Sequence, residues 1–202
     1  MRQHRPVTDP LICAIPAGGV PIGLELAKGI PARMFLGVVR KLKIPWNPEA
    51  GFGAMTWNGK VYLNQEMVRI LNLTREEIWQ AVAETEKNIR ERIDHFTGGL
   101  PIPPIHGRTV IITDDGLASG YTMMAAVNAL NSENPDEIIV AVPTGSAKAV
   151  AMISGMVATT VCLNLRDSYP FAVADAYQNW YDLDDEEVIR SLSLARRDQL
   201  LC

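Results

Sequence analysis

The sequence has 202 residues, a formal net charge of −4, 48% hydrophobic residues and 21% charged residues. This length and composition predict one globular domain over residues 1–202 with a sizeable core, and the small negative charge argues against a broad nucleic-acid-binding surface. The sequence contains no apolar run long enough to span a bilayer, so no membrane segment is predicted.

The N-terminal apolar segment breaks at Pro16 and the residues after it, which predicts a strand and a loop in place of a signal peptide. The three cysteines, Cys13, Cys162 and Cys202, lie far apart and show no metal-ligand spacing. A reducing cytoplasm is the setting that we expect for this pattern.

The chain begins with a βαβ pattern. A short apolar strand, a turn, a helix and a second buried strand are predicted at residues 11–15, 16–19, 20–28 and 32–39. This order predicts a parallel strand pair with a right-handed crossover. Because ligands of open α/β sheets gather at the carboxyl ends of strands, the amides of Gly18 and Gly19 could approach a ligand there. A plain strand-to-helix turn is the alternative.

Arg40 and Lys41 directly follow the second predicted strand. Two cations at the carboxyl end of a strand could face the same crevice, where Arg suits bidentate phosphate contacts and Lys acts as a mobile point charge. A solvated basic turn is the alternative.

The next region is predicted to leave the sheet. Two prolines and an Asn-Pro step favour a loop at residues 42–50, and Asn58-Gly59 between two apolar runs predicts a hairpin. Thr74 and Glu77 form a capping box that starts a long amphipathic helix ending near Phe96. Residues 98–107 are predicted to be a linker back to the sheet.

The most informative stretch is VIITDDGLASGYT, at residues 110–122. A buried strand runs into two acids, Asp114 and Asp115, and a small-residue loop then feeds a helix. Such a loop can direct several backbone amides at one phosphate, and the helix dipole adds to the attraction. The carboxylates suit vicinal hydroxyls or Mg²⁺, so the pattern predicts a phosphorylated ribose. The candidate binding residues are Gly116, Ala118, Ser119, Gly120, Tyr121 and Thr122.

The remainder of the chain continues the alternation of strands and helices. Strands are predicted at residues 137–142 and 159–163, with helices at residues 146–156 and from residue 184. The fold class is therefore α/β, a doubly wound and mostly parallel sheet, with its core at about residues 9–165. The segment after it carries aromatic residues that could stack on a planar ring or simply pack on the core. They are Tyr169, Phe171, Tyr177, Trp180 and Tyr181.

The central stretch resembles the signature of the type I phosphoribosyltransferases, and the resemblance covers about residues 11–190. It implies transfer of the 5-phosphoribosyl group from 5-phosphoribosyl-1-pyrophosphate to a small planar nitrogen acceptor, with Mg²⁺ as cofactor and a homodimer as the assembly. Asp114 and Asp115 would bind the ribose hydroxyls and the metal. Arg40 and Lys41 are similar to a basic pair of the adenine enzymes and would bind pyrophosphate together with the loop at residues 18–19.

The resemblance also implies a flexible catalytic loop at residues 42–50, with Lys43, Trp46 and Asn47 as candidates to reach the substrate. A hood that binds the acceptor would lie at residues 166–202. Relatives usually carry Pro-Arg-Gly-Gly where this chain has Ala17 before its glycine pair, so it lacks one cation. Two alternatives therefore stay open: a regulatory protein that binds the sugar phosphate without turnover, and a hydrolase that directs water to the anomeric carbon.

Overall fold

The computed structural model describes residues 9–167 and 170–202, without the side chains of residues 48 and 49. Its strands, in chain order, are β1 (Leu11–Ala14), β2 (Arg33–Leu36), β3 (Val39–Ile44), β4 (Asn47–Thr56), β5 (Val61–Leu63), β6 (Thr109–Thr113), β7 (Glu137–Ser146) and β8 (Thr159–Arg166). Its α-helices are α1 (Gly19–Gly29), α2 (Gln65–Ile70), α3 (Arg75–Thr97), α4 (Tyr121–Asn131), α5 (Ala147–Ser154) and α6 (Asp185–Arg197).

The strands form a parallel sheet of order β2-β1-β6-β7-β8 and an antiparallel sheet of order β3-β4-β5. The step from β1 through α1 to β2 runs in one direction along the parallel sheet, and the steps through α4 and α5 run in the other. Because such crossovers are right-handed, α1 lies on the opposite face from α4 and α5. The predicted doubly wound α/β fold is confirmed.

The central strands owe their position to uninterrupted apolar sequence. All four residues of β1 are buried, as expected for a parallel strand covered on both faces. At the other extreme, β8 forms an edge and alternates between exposed and half-buried residues. The carboxyl ends of β1 and β6 therefore lie side by side in the middle of the sheet, where ligand sites of this architecture form.

The predicted strand at residues 32–39 is wrong in its second half. The ladder between β1 and β2 ends at the pair Ala14 and Leu36, and the chain then crosses into the smaller sheet as β3. Gly37 makes this crossing possible, because a Cβ atom there would collide with Sγ of Cys13. Arg40 and Lys41 consequently lie within β3 and do not end a strand of the parallel sheet.

The predicted loop at residues 42–50 is also wrong. Most of it forms the ends of β3 and β4, which pair antiparallel and connect through a tight turn after Ile44. The buried side chains of Leu42 and Ile44 alternate with the exposed ones of Lys41 and Lys43. This two-residue period favours a strand and outweighs the prolines that suggested a loop.

Most other predicted elements are present, with shifted ends. The Asn58-Gly59 hairpin connects β4 and β5, and Gly59 has a φ of 78°. The capping box of α3 is formed by Thr74 and Glu77. The short helix α2 follows the hairpin without having been predicted, and β7 extends to Ser146, beyond the predicted end at residue 142.

The C-terminal segment returns to the sheet. After a short 3-10 turn at Val173–Ala176 and helix α6, the amide of Cys202 donates to the carbonyl of Met34, at 3.0 Å, along the outer edge of β2. Tyr169, one of the predicted aromatic candidates, lies outside the described residues. Over the described ranges, none of the helices combines the length and apolar character needed to cross a bilayer.

The capping box of α3 gives a direct test of this element. Thr74 Oγ1 accepts the amide of Glu77 at 3.2 Å, and the Thr74 amide donates to the Glu77 carboxylate at 2.8 Å. We expect Thr74→Ala to lower the free energy of unfolding by about 1 kcal/mol. Thr74→Ser keeps the acceptor and should melt close to the wild type. Equal melting temperatures for the Ala and Ser variants would contradict a stabilising cap.

Candidate active site

Two loops meet where β1 and β6 end. The registered pair Ala14 and Thr113 closes the ladder, and the Ile15 amide donates to the Thr113 carbonyl at 3.0 Å. The turn that leads into α1 therefore lies directly beside the acid pair that follows β6. This juxtaposition brings Gly18 and Gly19 next to Asp114 and Asp115.

The contact between these loops leaves no space for a side chain on the glycine pair. A Cβ atom on Gly18 would collide with Oδ2 of Asp115, and one on Gly19 would lie 2.8 Å from the carbonyl oxygen of Thr113. Glycine is therefore required for close approach, as distinct from an unusual φ angle. The backbone of this turn forms one wall beside the carboxylates.

The acid pair is electrostatically unfavourable by itself. Burial, reinforced by the negative charge of Asp115, raises the pKa of Asp114 well above its usual value. Burial also raises the pKa of Asp115, and the charge of Asp182 adds to this effect. The Asp115 amide donates to Oδ1 of Asp114 at 2.9 Å, and a side-chain hydrogen bond with Asp114 partly opposes the rise in the pKa of Asp115. A cation or hydroxyl donors placed here would relieve the repulsion.

The loop after the acids is held in place by β7. The Leu117 amide donates to the Thr144 carbonyl at 2.9 Å, and the hydroxyl of Ser146 donates to the Ala118 carbonyl at 2.8 Å. Gly120, with a φ of 80°, then starts α4. The predicted phosphate residues Ala118, Ser119, Tyr121 and Thr122 are all exposed around this helix N-terminus.

One cavity of about 650 Å³ joins the acid pair to the basic strand. Its lining includes Asp114, Asp115, Gly18, Thr122 and the predicted cations Arg40 and Lys41 of β3, with α3 forming the far wall. The structure thus brings the acids, the glycine turn and the cations together from two different sheets.

The three candidates of the predicted catalytic loop separate in the structure. Lys43 lines the same cavity as the acid pair. Trp46 lies at the hairpin turn with 60% of its surface exposed, and Asn47 is the first residue of β4. Only Lys43 of these three is among the residues that line the described cavities.

Arg40 forms a hydrogen bond with a neutral side chain and lies near two charged ones. Its Nε donates to Oδ1 of Asn88, on α3, at 3.1 Å. Burial and the nearby positive charge of Arg92 lower the pKa of Arg40, partly opposed by Asp185. Sequence reasoning missed Asn88, because α3 reads as a solvated helix until β3 is known to pack against it.

The aromatic segment after β8 reaches the same site. The Tyr177 hydroxyl donates to the Asp115 carbonyl at 2.6 Å, and burial together with the acid pair raises the pKa of Tyr177 to about 12. Its ring contacts that of Trp180, at a centroid distance of 5.1 Å. Both rings line a second cavity, of about 420 Å³, with Tyr181, Gly18 and Asp115.

Phe171 lies apart from those aromatic rings. It lines a further cavity, of about 310 Å³, beside Ala118 and Ser146 of the phosphate-loop region and the cations Lys148 and Arg166.

Val173 packs against the loop that follows the acids. A Cβ atom on Gly116 would lie 2.8 Å from Cγ1 of Val173, so the aromatic segment closes tightly on this loop. Sequence reasoning did not identify Val173, whose small apolar side chain carries no functional signal.

Carboxylates, an open helix N-terminus and cations thus surround one cleft at the carboxyl ends of parallel strands, which is where ligand sites of α/β proteins form. The sequence matches the family described as "Phosphoribosyl transferase domain" over residues 2–174. The chain therefore belongs to the phosphoribosyl transferase family.

Known relatives agree with this family membership. Two strains of Mycobacterium tuberculosis, CDC 1551 / Oshkosh and H37Rv, contain proteins (MT0597 and Rv0571c) with the provisional name phosphoribosyl transferase, each 34% identical over 188 residues. The match covers 93% of this chain but 42% of each relative. The crystal structure of TT1426 from Thermus thermophilus is similar, with a TM-score of 0.76, 28% identity, and coverage of 93% of this chain and 88% of that one.

The close approach of Gly18 to Asp115 is tested by Gly18→Ala. The added methyl must displace the Asp115 carboxylate or the turn, so we expect a loss of about 1–3 kcal/mol in the free energy of unfolding. Gly29→Ala, at the end of α1, is the matched control, because a Cβ atom there meets nothing within 4 Å. Similar melting temperatures for the two variants would contradict the contact.

The acid pair makes stability depend on pH. Because the pKa of Asp114 is raised in the folded state, the folded state keeps the proton longer than the unfolded chain, whose value is about 3.9. Stability is thus lost as pH rises from that value through the folded-state pKa. We expect Asp114→Asn to be more stable than the wild type at neutral pH without ligand, with a flatter pH profile by denaturant titration. Asp136→Asn, at an exposed site, is the control. Equal profiles of stability against pH for the two variants would contradict a destabilising effect of the Asp114 carboxylate.

Proposed function

We propose that the chain transfers the 5-phosphoribosyl group from 5-phosphoribosyl-1-pyrophosphate to a nitrogen acceptor and releases pyrophosphate. The observation that carries this proposal is the single cavity shared by the acid pair, Gly18, Thr122 and the cations of β3. Its chemistry matches the three parts of the donor: a phosphate, a pair of hydroxyls and a diphosphate.

Each part of the donor has a proposed location. The 5-phosphate binds the amides of residues 118–122 at the N-terminus of α4. The ribose hydroxyls donate to the carboxylates of Asp114 and Asp115, which fix the anomeric carbon. The diphosphate lies between the backbone at Gly18 and the side chains of Arg40 and Lys41, which line the same cavity; the Gly19 amide donates to the Ile15 carbonyl at 2.9 Å instead.

The reaction requires positioning and charge stabilisation more than a protein nucleophile. The acceptor nitrogen forms a bond to the anomeric carbon while the bond from that carbon to the diphosphate oxygen breaks. The electron pair leaves with pyrophosphate, where the β3 cations and the turn amides stabilise it. The acceptor nitrogen then loses its proton to solvent or to the departing pyrophosphate.

The donor set fits Mg²⁺. Two adjacent carboxylates, of Asp114 and Asp115, open into the cavity, and Mg²⁺ in such sites is held by one or two carboxylates together with substrate phosphates. When bound, the ion would supply positive charge to the leaving group. The same charge would oppose the effect of burial, which is the main cause of the raised pKa values of Asp114 and Asp115.

The acceptor is proposed to be a planar ring that is bound by the C-terminal aromatic segment. Tyr177, Trp180 and Tyr181 line a cavity that shares Gly18 and Asp115 with the donor cavity. An acceptor stacked on these rings would approach the anomeric carbon next to the carboxylates. A nucleobase fits this description. A screen of bases for pyrophosphate release would identify which base is the acceptor.

We further propose a cytoplasmic setting and a homodimer. The apolar side chains of Val161, Leu163 and Leu165 on edge strand β8 are exposed, with 83% of the surface of Leu163 open to solvent. An exposed apolar patch of this kind supports an interface with a second copy of the chain. Sedimentation velocity on the purified chain tests the dimer independently of activity.

A second candidate is a regulatory protein that binds the donor without turnover. Ala17 favours it, because this residue lines the donor cavity and contributes no charge to the leaving group. A hydrolase is distinguished from both candidates by pyrophosphate release that needs no acceptor.

Donor binding is expected to stabilise the fold. With Mg²⁺, 5-phosphoribosyl-1-pyrophosphate at about 100 times its dissociation constant should contribute about 2.7 kcal/mol. For a chain of this size the melting temperature should rise by roughly 5–11 °C. Coupled pyrophosphate detection should then show release only when a suitable base is present. A thermal shift without release for any base would favour the regulatory candidate, and no shift at millimolar donor would contradict both.

Ala17→Arg tests whether the missing cation limits the reaction. A guanidinium at this position would add positive charge beside the diphosphate, so we expect a several-fold faster transfer. Ala17→Gln adds a long polar side chain without charge and is the matched control. An equal effect of both variants on pyrophosphate release would show that charge is not what the wild-type turn lacks.

A further inference from the structure

The hydrogen bond between Arg40 and Asn88 connects the basic strand to α3. Arg40 Nε donates to Oδ1 of Asn88 at 3.1 Å, and both residues line the 650 Å³ cavity opposite the acid pair. A guanidinium has five N–H donors in a fixed fork. With Nε bound to Asn88, the two terminal nitrogens keep the donors that suit a bidentate phosphate contact.

The uncharged character of Asn88 matters as much as its position. Among the side chains that the structure describes, the ion pairs within 4.0 Å do not include Arg40. Arg92, whose charge acts on Arg40, pairs with Asp185 at 3.3 Å. An amide oxygen can orient a guanidinium and leave its charge in place. A carboxylate would orient the guanidinium as well, but it would also cancel its charge.

The glycine turn increases the importance of this charge. Ala17 supplies no cation to the cavity, so the positive charge that faces a diphosphate comes from the side chains of β3. A carboxylate at position 88 would remove much of what Arg40 contributes. The neutral partner therefore preserves a charge that the turn does not replace.

We propose that Asn88 is a positioning residue, which directs the Arg40 guanidinium toward the diphosphate and leaves its charge intact. This inference rests on the proposed function. A merely structural role would give a different pattern, because the loss of a bond that serves only the fold would weaken the binding of every ligand of the cavity equally.

The test measures binding of inorganic pyrophosphate and of ribose 5-phosphate, each with Mg²⁺, by titration calorimetry. For Asn88→Asp we expect pyrophosphate affinity to fall about tenfold, or about 1.4 kcal/mol. The new carboxylate should form a charge-assisted pair with Arg40, so the melting temperature should stay the same or rise. Asn88→Ala loses orientation but no charge, and its affinity for pyrophosphate should fall about threefold.

Ribose 5-phosphate provides the internal comparison, because it lacks the diphosphate and should bind all variants equally. Asn64→Asp is the matched control: it makes the same chemical change at the N-cap of α2, where Asp caps as well as Asn, outside the cavity lining. An equal fall for Asn64→Asp and Asn88→Asp would attribute the effect to net charge and overturn the inference.

The remaining outcomes separate this inference from the proposed function. If the wild type binds both ligands and Asn88→Asp keeps full pyrophosphate affinity, the positioning role is wrong while the donor site stands. If the wild type binds neither ligand, the proposed function is wrong, and the role of Asn88 that rests on it is wrong as well. Should Asn88→Asp not fold, Asn88→Ala decides: a loss confined to pyrophosphate supports the role, and an equal loss for both ligands refutes it.

Discussion

The site depends on one close approach, in which the backbone at Gly18 touches the carboxylate of Asp115. This contact follows from the sheet topology, since β1 and β6 are parallel neighbours that end at the same level. The contact places the backbone of one loop beside the carboxylates of the other. A side chain on either glycine would force the two halves of the site apart, whatever the rest of the fold did.

The penalty of this arrangement is electrostatic. Two carboxyls with raised pKa values lie in a largely buried position, and no basic side chain of the described residues forms an ion pair with them within 4.0 Å. The cations that balance them come from β3, in the other sheet, across an open cavity. A ligand that is anionic at one end and rich in hydroxyls at the other satisfies both sides at once. Binding of such a ligand would therefore reduce the electrostatic cost that the folded state carries at the acid pair.

The local chemistry of the acid pair could be predicted from the sequence, but the path of the chain around it could not. Asp114, Asp115 and the following loop were recognisable because a strand, acids, glycines and a helix appear consecutively. Arg40 and Lys41 were predicted to end a strand of the main sheet, yet they reach the cavity from the middle of β3. The position of these two cations depends on Gly37, where the chain passes from the parallel sheet into the smaller sheet. Such a crossing leaves no periodic pattern of apolar residues in the sequence.

Long-range partners were the least predictable. Asn88 reads as one polar residue on a solvated helix face, and its bond to Arg40 appears only once β3 packs beside α3. Tyr177 was identified as aromatic, but its bond to the Asp115 carbonyl depends on the irregular chain after β8. Neither contact is encoded by spacing, because the bonded residues are 48 and 62 positions apart in the sequence.

The most direct test of the central claim is the number of protons released when 5-phosphoribosyl-1-pyrophosphate binds with Mg²⁺. Titration calorimetry in two buffers of different ionisation enthalpy gives this number across the acidic range. If the ligand relieves the strain of the acid pair, the wild type should release protons that Asp114→Asn does not, because binding lowers the raised pKa values. The same proton count in both proteins, with donor bound, would contradict the account.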